Sequence, residues 1–166
     1  MIITKSCTAM TIKKVLIGVD DSKFAEYAAA YGFEIARKFN ASVGLVNIVE
    51  PTMMPPMGAG ADPVLGMPMQ GVGVEEMELL DIRKSQAEDI FDRTTKKFAK
   101  DIKVSHFTEY GATAQGIIDC SKEFKADLIV IGTHNRSGID RLLMGSVAEH
   151  VVRHSEVPVL VVPFGQ

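Results

Sequence analysis

Short apolar runs alternate with amphipathic stretches along this chain. Residues 14–19, KVLIGV, read as a buried strand. Asp20-Asp21-Ser22 then supplies a helix cap. Ala28, Gly32, Ile35, Ala36 and Phe39 follow at helical spacing, mostly small enough to pack closely on a sheet. A second strand covers about residues 43–49, VGLVNIV. A charged helix is expected from about Glu75 to Lys100, with Leu80, Ala87, Phe91, Thr94 and Phe98 on one face. Then come a strand near Val104–Glu109, a helix from about Thr113 to Phe124 and the strand Asp127–Ile131. A helix from about Gly145 to His154 and a final strand, Val157–Val162, complete the pattern. The order β-α-β-α-β-α-β-α-β predicts an α/β domain, with a five-stranded, mainly parallel, doubly wound sheet and helices on both faces. Ligands of such sheets sit beyond the strand C-termini, where the winding reverses. Asp20 and Gly132 both fall at strand C-termini and are candidates for that crevice.

One segment breaks the alternation. Residues 51–74 hold five of the seven prolines, five of the nine methionines and five glycines. That composition predicts a long mobile loop or lid, with the methionines as an adaptable apolar surface over a ligand or partner. The whole chain of 166 residues, 46% apolar and 23% charged, fits one domain with a full core. Residues 1–11 read as a loose N-terminal extension and 12–166 as the single domain. A net charge of −3 argues against a nucleic-acid partner. The apolar runs are too short to span a membrane, and the start MIITKSCTAMTIKK lacks the apolar centre of a secretory signal. Cys7 and Cys120 form no motif. The expected compartment is the reducing cytoplasm.

The chemistry is concentrated in Gly132-Thr133-His134-Asn135-Arg136-Ser137-Gly138 and, after a gap, Gly145-Ser146. It follows the apolar run Leu128-Ile129-Val130-Ile131. A glycine-rich turn between a strand and a helix can cradle phosphate with outward-facing backbone N–H groups and the helix dipole. The alternative is turn chemistry and close helix packing without a ligand. No lysine-threonine or lysine-serine pair ends a Walker-type loop here. Gly71 and Gly73 begin a G-x-G-x-x-G, but Glu76 takes the third glycine position. Ser146 is a candidate cap of the last helix and a candidate phosphate donor. Arg136 could neutralise phosphate or simply be solvated. Asp21 and Ser22 read as N-capping residues and Asp20 as the better ligand contact. His150 and His154 share a helix face, but HVVRH lacks the glutamate of a zinc-protease motif, so no metal is expected.

Over about residues 12–163 the chain resembles the universal stress protein family. That family's pattern is G-x2-G-x9-G followed by Ser or Thr. Gly132, Asn135, Gly145 and Ser146 occupy its positions, and GTHNRSGIDRLLMGSVAEHVVRHSEVPVLVVP and VLIGVDDS resemble its C-terminus and first strand. The resemblance implies a Rossmann-like sheet of order 3-2-1-4-5. It also implies a site for ATP or another adenine nucleotide, with Mg as an optional companion. Carried over by position, Asp20 meets ribose, Val19 and Ile48 line the adenine slot, and Gly132, Gly145 and Ser146 hold phosphates. Asn135 stands where the family has glycine. Asn tolerates the left-handed conformation but adds bulk where phosphate approaches. The implied role is a stress-response regulator. The alternatives are a slow ATPase or nucleotidyl-transfer enzyme using the same crevice, or an interaction module without a ligand. No activated nucleophile is visible, so little or no turnover is expected. In the implied order the apolar strand Val157–Val162 lies at an edge, which predicts a homodimer through that strand.

Overall fold

The first strand, β1 (Lys14–Gly18), is buried on both faces because its apolar run has no polar alternation. The computed structural model describes residues 11–50, 72–133 and 145–164, with the backbone alone at 72–78 and 80. After β1 come α1 (Lys23–Phe39), β2 (Ser42–Val49), α2 (Val72–Phe98), β3 (Val104–Tyr110) and α3 (Thr113–Phe124). The chain continues as β4 (Leu128–Gly132), α4 (Ser146–His154) and β5 (Val159–Val162). The sheet order is β3-β2-β1-β4-β5, with every neighbouring pair parallel. The winding therefore reverses between β2 and β4, on either side of β1, as the sequence pattern and the resemblance led one to expect.

Two apolar layers hold the helices to the sheet. On one face Ile17, Phe33, Leu45, Phe91 and Val130 pack under α1 and α2. On the other, Leu16, Val46, Ile118, Ile129 and Val151 pack under α3 and α4. Small residues set the approach of α1. A Cβ added at Gly32 would lie 2.5 Å from Ile17 Cδ1. One at Gly132 would lie 2.6 Å from the backbone oxygen of Phe24. Gly132 thus has a packing reason to be glycine: the first turn of α1 rests on the end of β4.

Several expected boundaries move, each for a local reason. β1 stops at Gly18, so Asp20 lies two residues beyond the strand rather than at its end. Its Oδ1 accepts from the Ser22 amide at 2.7 Å, a side-chain turn that leads into α1. Ser22 is the N-cap and accepts from the Ala25 amide at 3.1 Å. Asp21 does not cap; it reaches across to Arg93 of α2 at 2.9 Å. α2 begins at Val72, three residues before the expected Glu75, so Gly73 is helical and belongs to no phosphate loop. The rest of the expected 51–74 loop, residues 51–71, lies outside the described residues. β5 begins at Val159 rather than Val157. Ser155 Oγ closes a small turn on Val157, accepting its N–H at 3.1 Å and donating to its carbonyl at 2.8 Å. Pro158, which has no N–H, follows that turn ahead of the strand.

Candidate functional site

At the C-terminal end of the sheet, the reversal opens a cleft of about 730 Å³. Val19, Asp20, Ile48, Gly132, Gly145 and Ser146 all line it. Six sequence-predicted residues from four separate segments thus meet in one place. Asn135 and Arg136 lie outside the described residues, as does Gly138.

The backbone at the end of β2 is the informative part. In the parallel ladder, Ser42 and Val46 face β1: the Ser42 amide donates to Lys13 O, and Val46 O accepts from the Val19 amide, both at 2.9 Å. Val43 and Val49 face β3 instead, bonding Lys103 O and the Gly111 amide. Ile48 therefore faces the β1 side, where β1 has already ended. The regular ladder would next join the Ile48 amide to the Val19 carbonyl. That carbonyl is taken by a side chain: Asn47 Nδ2 donates to it at 2.9 Å. The N–H and C=O of Ile48 are thus left side by side, with no partner from β1, at the wall of the cleft. The Ile48 side chain points the other way, onto α3, where a Cβ added at Gly116 would meet its Cδ1 at 2.7 Å.

Asn47 was not singled out from the sequence, although it is the one polar residue in VGLVNIV and is only 9% exposed. Burying an amide requires hydrogen-bond partners, and that signal was available. Its work is to bind the β1–α1 turn to β2. Val19 is consequently held by both of its backbone polar groups, and it offers the cleft a wall rather than an unmet bond.

The polar groups around the cleft divide by position. Asp20 keeps Oδ2 without a protein partner among the described residues, since Oδ1 is spent on the Ser22 amide. Opposite, α4 starts at Gly145, which has no side chain to cap the helix. Its first intrahelical bond runs from the Glu149 amide to Gly145 O at 3.0 Å. The N–H groups of Ser146, Val147 and Ala148 precede that bond, and all three residues line the cleft. Such a helix start favours an anion. Gly145 has φ −54° and ψ 153°, a conformation open to any residue. Ser146 is the first helical residue and not the cap, which corrects one of its two expected roles. α1 contrasts with α4 because the Ser22 side chain caps it, accepting the Ala25 amide.

The mouth of the cleft holds further residues with no sequence signal. Glu50, just past β2, accepts at its carboxylate Oε1 from the Thr113 hydroxyl of α3. Arg83 of α2 donates to the Glu50 backbone carbonyl. Gln86 and Ile90 of α2 complete that wall. Away from the cleft, the His150 and His154 rings stack at 4.1 Å, and His154 Nδ1 donates to the His150 carbonyl at 2.8 Å. The two share a face as their spacing predicts. Among the described residues no group of three or more His, Cys, Asp or Glu is placed to hold a metal ion. Among them also, no helix is long and apolar enough to cross a membrane.

The profile of the universal stress protein family matches residues 11–163. The chain belongs to the universal stress protein family. A universal stress protein from Methanocaldococcus jannaschii is 34% identical over 152 residues, covering 90% of this chain and 81% of that one. Among solved structures, a universal stress protein from Lactobacillus plantarum is 25% identical with a TM-score of 0.71, covering 91% of this chain and 97% of that one. Another, from Archaeoglobus fulgidus and solved in complex with dAMP, is 20% identical with a TM-score of 0.58, covering 92% and 98%. The five-stranded order and the universal stress protein architecture thus agree.

Proposed function

We propose that this universal stress protein is a cytoplasmic regulator that binds an adenine nucleotide in the cleft beyond β1. One observation carries the reading: the unpaired N–H and C=O of Ile48, side by side at the cleft wall. Adenine presents the matching pair, with N1 as acceptor and the 6-amino group as donor. The base then lies against Ile48 and Val19, the Asp20 carboxylate accepts from ribose hydroxyls, and the phosphates meet the N–H groups that open α4. Gly132, Asn135, Arg136, Gly145 and Ser146 form the phosphate end of this arrangement. The nucleotide is ATP or a shorter relative, with Mg as an optional companion to the phosphates. The dAMP complex of the Archaeoglobus relative supports an adenine nucleotide in this fold.

Residues 12–166 act as one unit in this reading, and two copies pair through β5. That strand is at the sheet edge, and Val159, Leu160 and Val161 are only half-buried there. An apolar edge pairing antiparallel with its copy satisfies the edge groups and closes by twofold symmetry. Calorimetric titration of the protein with AMP, ADP and ATP tests the nucleotide reading. Saturable binding of at least one of them is expected, with the nucleotide recovered unhydrolysed. Failure to bind all three, in folded protein, would favour an interaction module; steady release of phosphate would favour an enzyme.

A further inference from the structure

We propose that Glu50 is the base-selecting residue of this cleft, accepting a hydrogen bond from the exocyclic amino group of a 6-aminopurine. The inference rests on the nucleotide reading and adds to it a residue that motif reasoning does not reach. Glu50 is two residues beyond Ile48. It follows directly on the last residue of β2, past the point where β1 ends. It lines the cleft. Its position is fixed from both flanking helices: Arg83 of α2 donates to its backbone carbonyl, and the Thr113 hydroxyl of α3 donates to Oε1. The second carboxylate oxygen, Oε2, has no protein partner among the described residues.

The chemistry follows from what each group can offer. A 6-amino group has two N–H donors. One, beside N1, is matched by the Ile48 carbonyl, and the other, turned toward N7, needs a second acceptor farther along the cleft wall. A carboxylate only accepts, and one ionised partner makes the bond stronger than a neutral pair. Thr113 and Arg83 act here as positioning residues, the one orienting the carboxylate and the other holding the backbone of Glu50. A purine lacking the amino group has nothing to give Oε2, so Glu50 contributes nothing to holding it.

The test compares two nucleotides on two proteins. AMP and purine riboside 5′-monophosphate, which has hydrogen in place of the amino group, are titrated against the parent and Glu50→Ala. Glu50 is exposed, so its truncation leaves the fold intact, as circular dichroism will check. A bond to a charged group is worth roughly a tenfold change in affinity or more. The substitution should therefore weaken AMP about tenfold and change the comparator less than twofold. Thr113→Val, which removes the hydroxyl that orients the carboxylate, should weaken AMP selectively in the same sense. Equal losses for both nucleotides, or no loss for either, would overturn the proposal while leaving nucleotide binding standing. A folded parent that binds neither nucleotide would overturn both.

Discussion

Gly132→Ala isolates the packing role of a glycine that also belongs to a phosphate motif. The added Cβ would lie 2.6 Å from Phe24 O, 2.8 Å from Phe24 C and 3.3 Å from the Ala25 amide nitrogen. All three neighbours are backbone, in the first turn of a helix anchored by the Ser22 cap. A side chain could rotate away; a capped helical turn must translate. Overpacking of this kind costs roughly 2–3 kcal/mol. For a domain of this size each kcal/mol lowers the midpoint by about 2–4 °C, so a fall of roughly 4–12 °C is expected. Gly18→Ala is the control. It adds the same methyl at the same end of the sheet, but its closest neighbour is a side-chain methyl, Ile131 Cγ2, at 3.1 Å. That variant should lose less than about 1 kcal/mol. Thermal and urea unfolding without nucleotide measure both. If Gly132→Ala unfolds within about 0.5 kcal/mol of the parent, then α1 does not rest on β4 as described, and Gly132 is glycine for a ligand alone.

Gly145→Val should weaken nucleotide binding about tenfold or more, roughly 1.4 kcal/mol, because a branched side chain enters the space before the uncapped start of α4; unchanged affinity in calorimetry would remove that helix start from the site. Burial pushes the Cys120 thiol up to about 12, with Glu109 and Glu123 adding to the effect. An unfolded thiol ionises near pH 8.5. Between that pH and the folded value the unfolded chain holds fewer protons, so stability falls as pH rises. Urea unfolding at pH 7.5 and 10 should show a larger fall for the parent than for Cys120→Ala, and parallel falls would contradict it. Val161→Lys should convert the proposed dimer to monomer in sedimentation equilibrium; a variant dimer as tight as the parent would place the interface elsewhere, and a monomeric parent would exclude it.

The elements most legible in the sequence are those whose ends carry their own signals. The helix expected over Thr113–Phe124 is found with those bounds, because an amphipathic run lies between the Gly111-Ala112 turn and the strongly apolar strand β4. α2 starts earlier than its pattern predicts because its first residues, Val72-Gly73-Val74, have the composition of the segment before them. The last strand is shorter than its apolar run predicts, because one serine hydroxyl makes the turn that excludes Val157-Pro158. Motif spacing and strand ends point to Asp20, Gly132, Gly145 and Ser146, while Val19 and Ile48 come only from the family resemblance. Neither reaches Arg83 or Gln86, which come from α2 and enter the site only through the three-dimensional path of that helix. Asn47 lies between these cases: a polar residue in an apolar strand is visible, but its partner, the Val19 carbonyl, is 28 residues away.

The two ends of the sheet differ in how their backbone polar groups are met. At the N-terminal end the backbone groups beside β1 and β4 are met within the protein. Asp127 Oδ2 accepts the amides of Lys13 and Lys14 at 2.8 and 2.9 Å. Lys14 Nζ donates to Phe124 O at 2.9 Å, and the Asp127 amide donates to Lys14 O at 2.8 Å. The backbone groups in that set are all met within the protein. At the C-terminal end, β1 stops short of β2, Asn47 takes the carbonyl that would have continued the ladder, and glycine begins α4 where a capping side chain could have stood. Each leaves a backbone group open in the same cleft. Unpaired polar groups are costly when buried without water or a partner. Among the described residues the C-terminal end leaves two sets of groups open in one cleft, the N–H and C=O of Ile48 and the N–H groups that begin α4, and these are the sets that the proposed nucleotide would meet with its base and its phosphates.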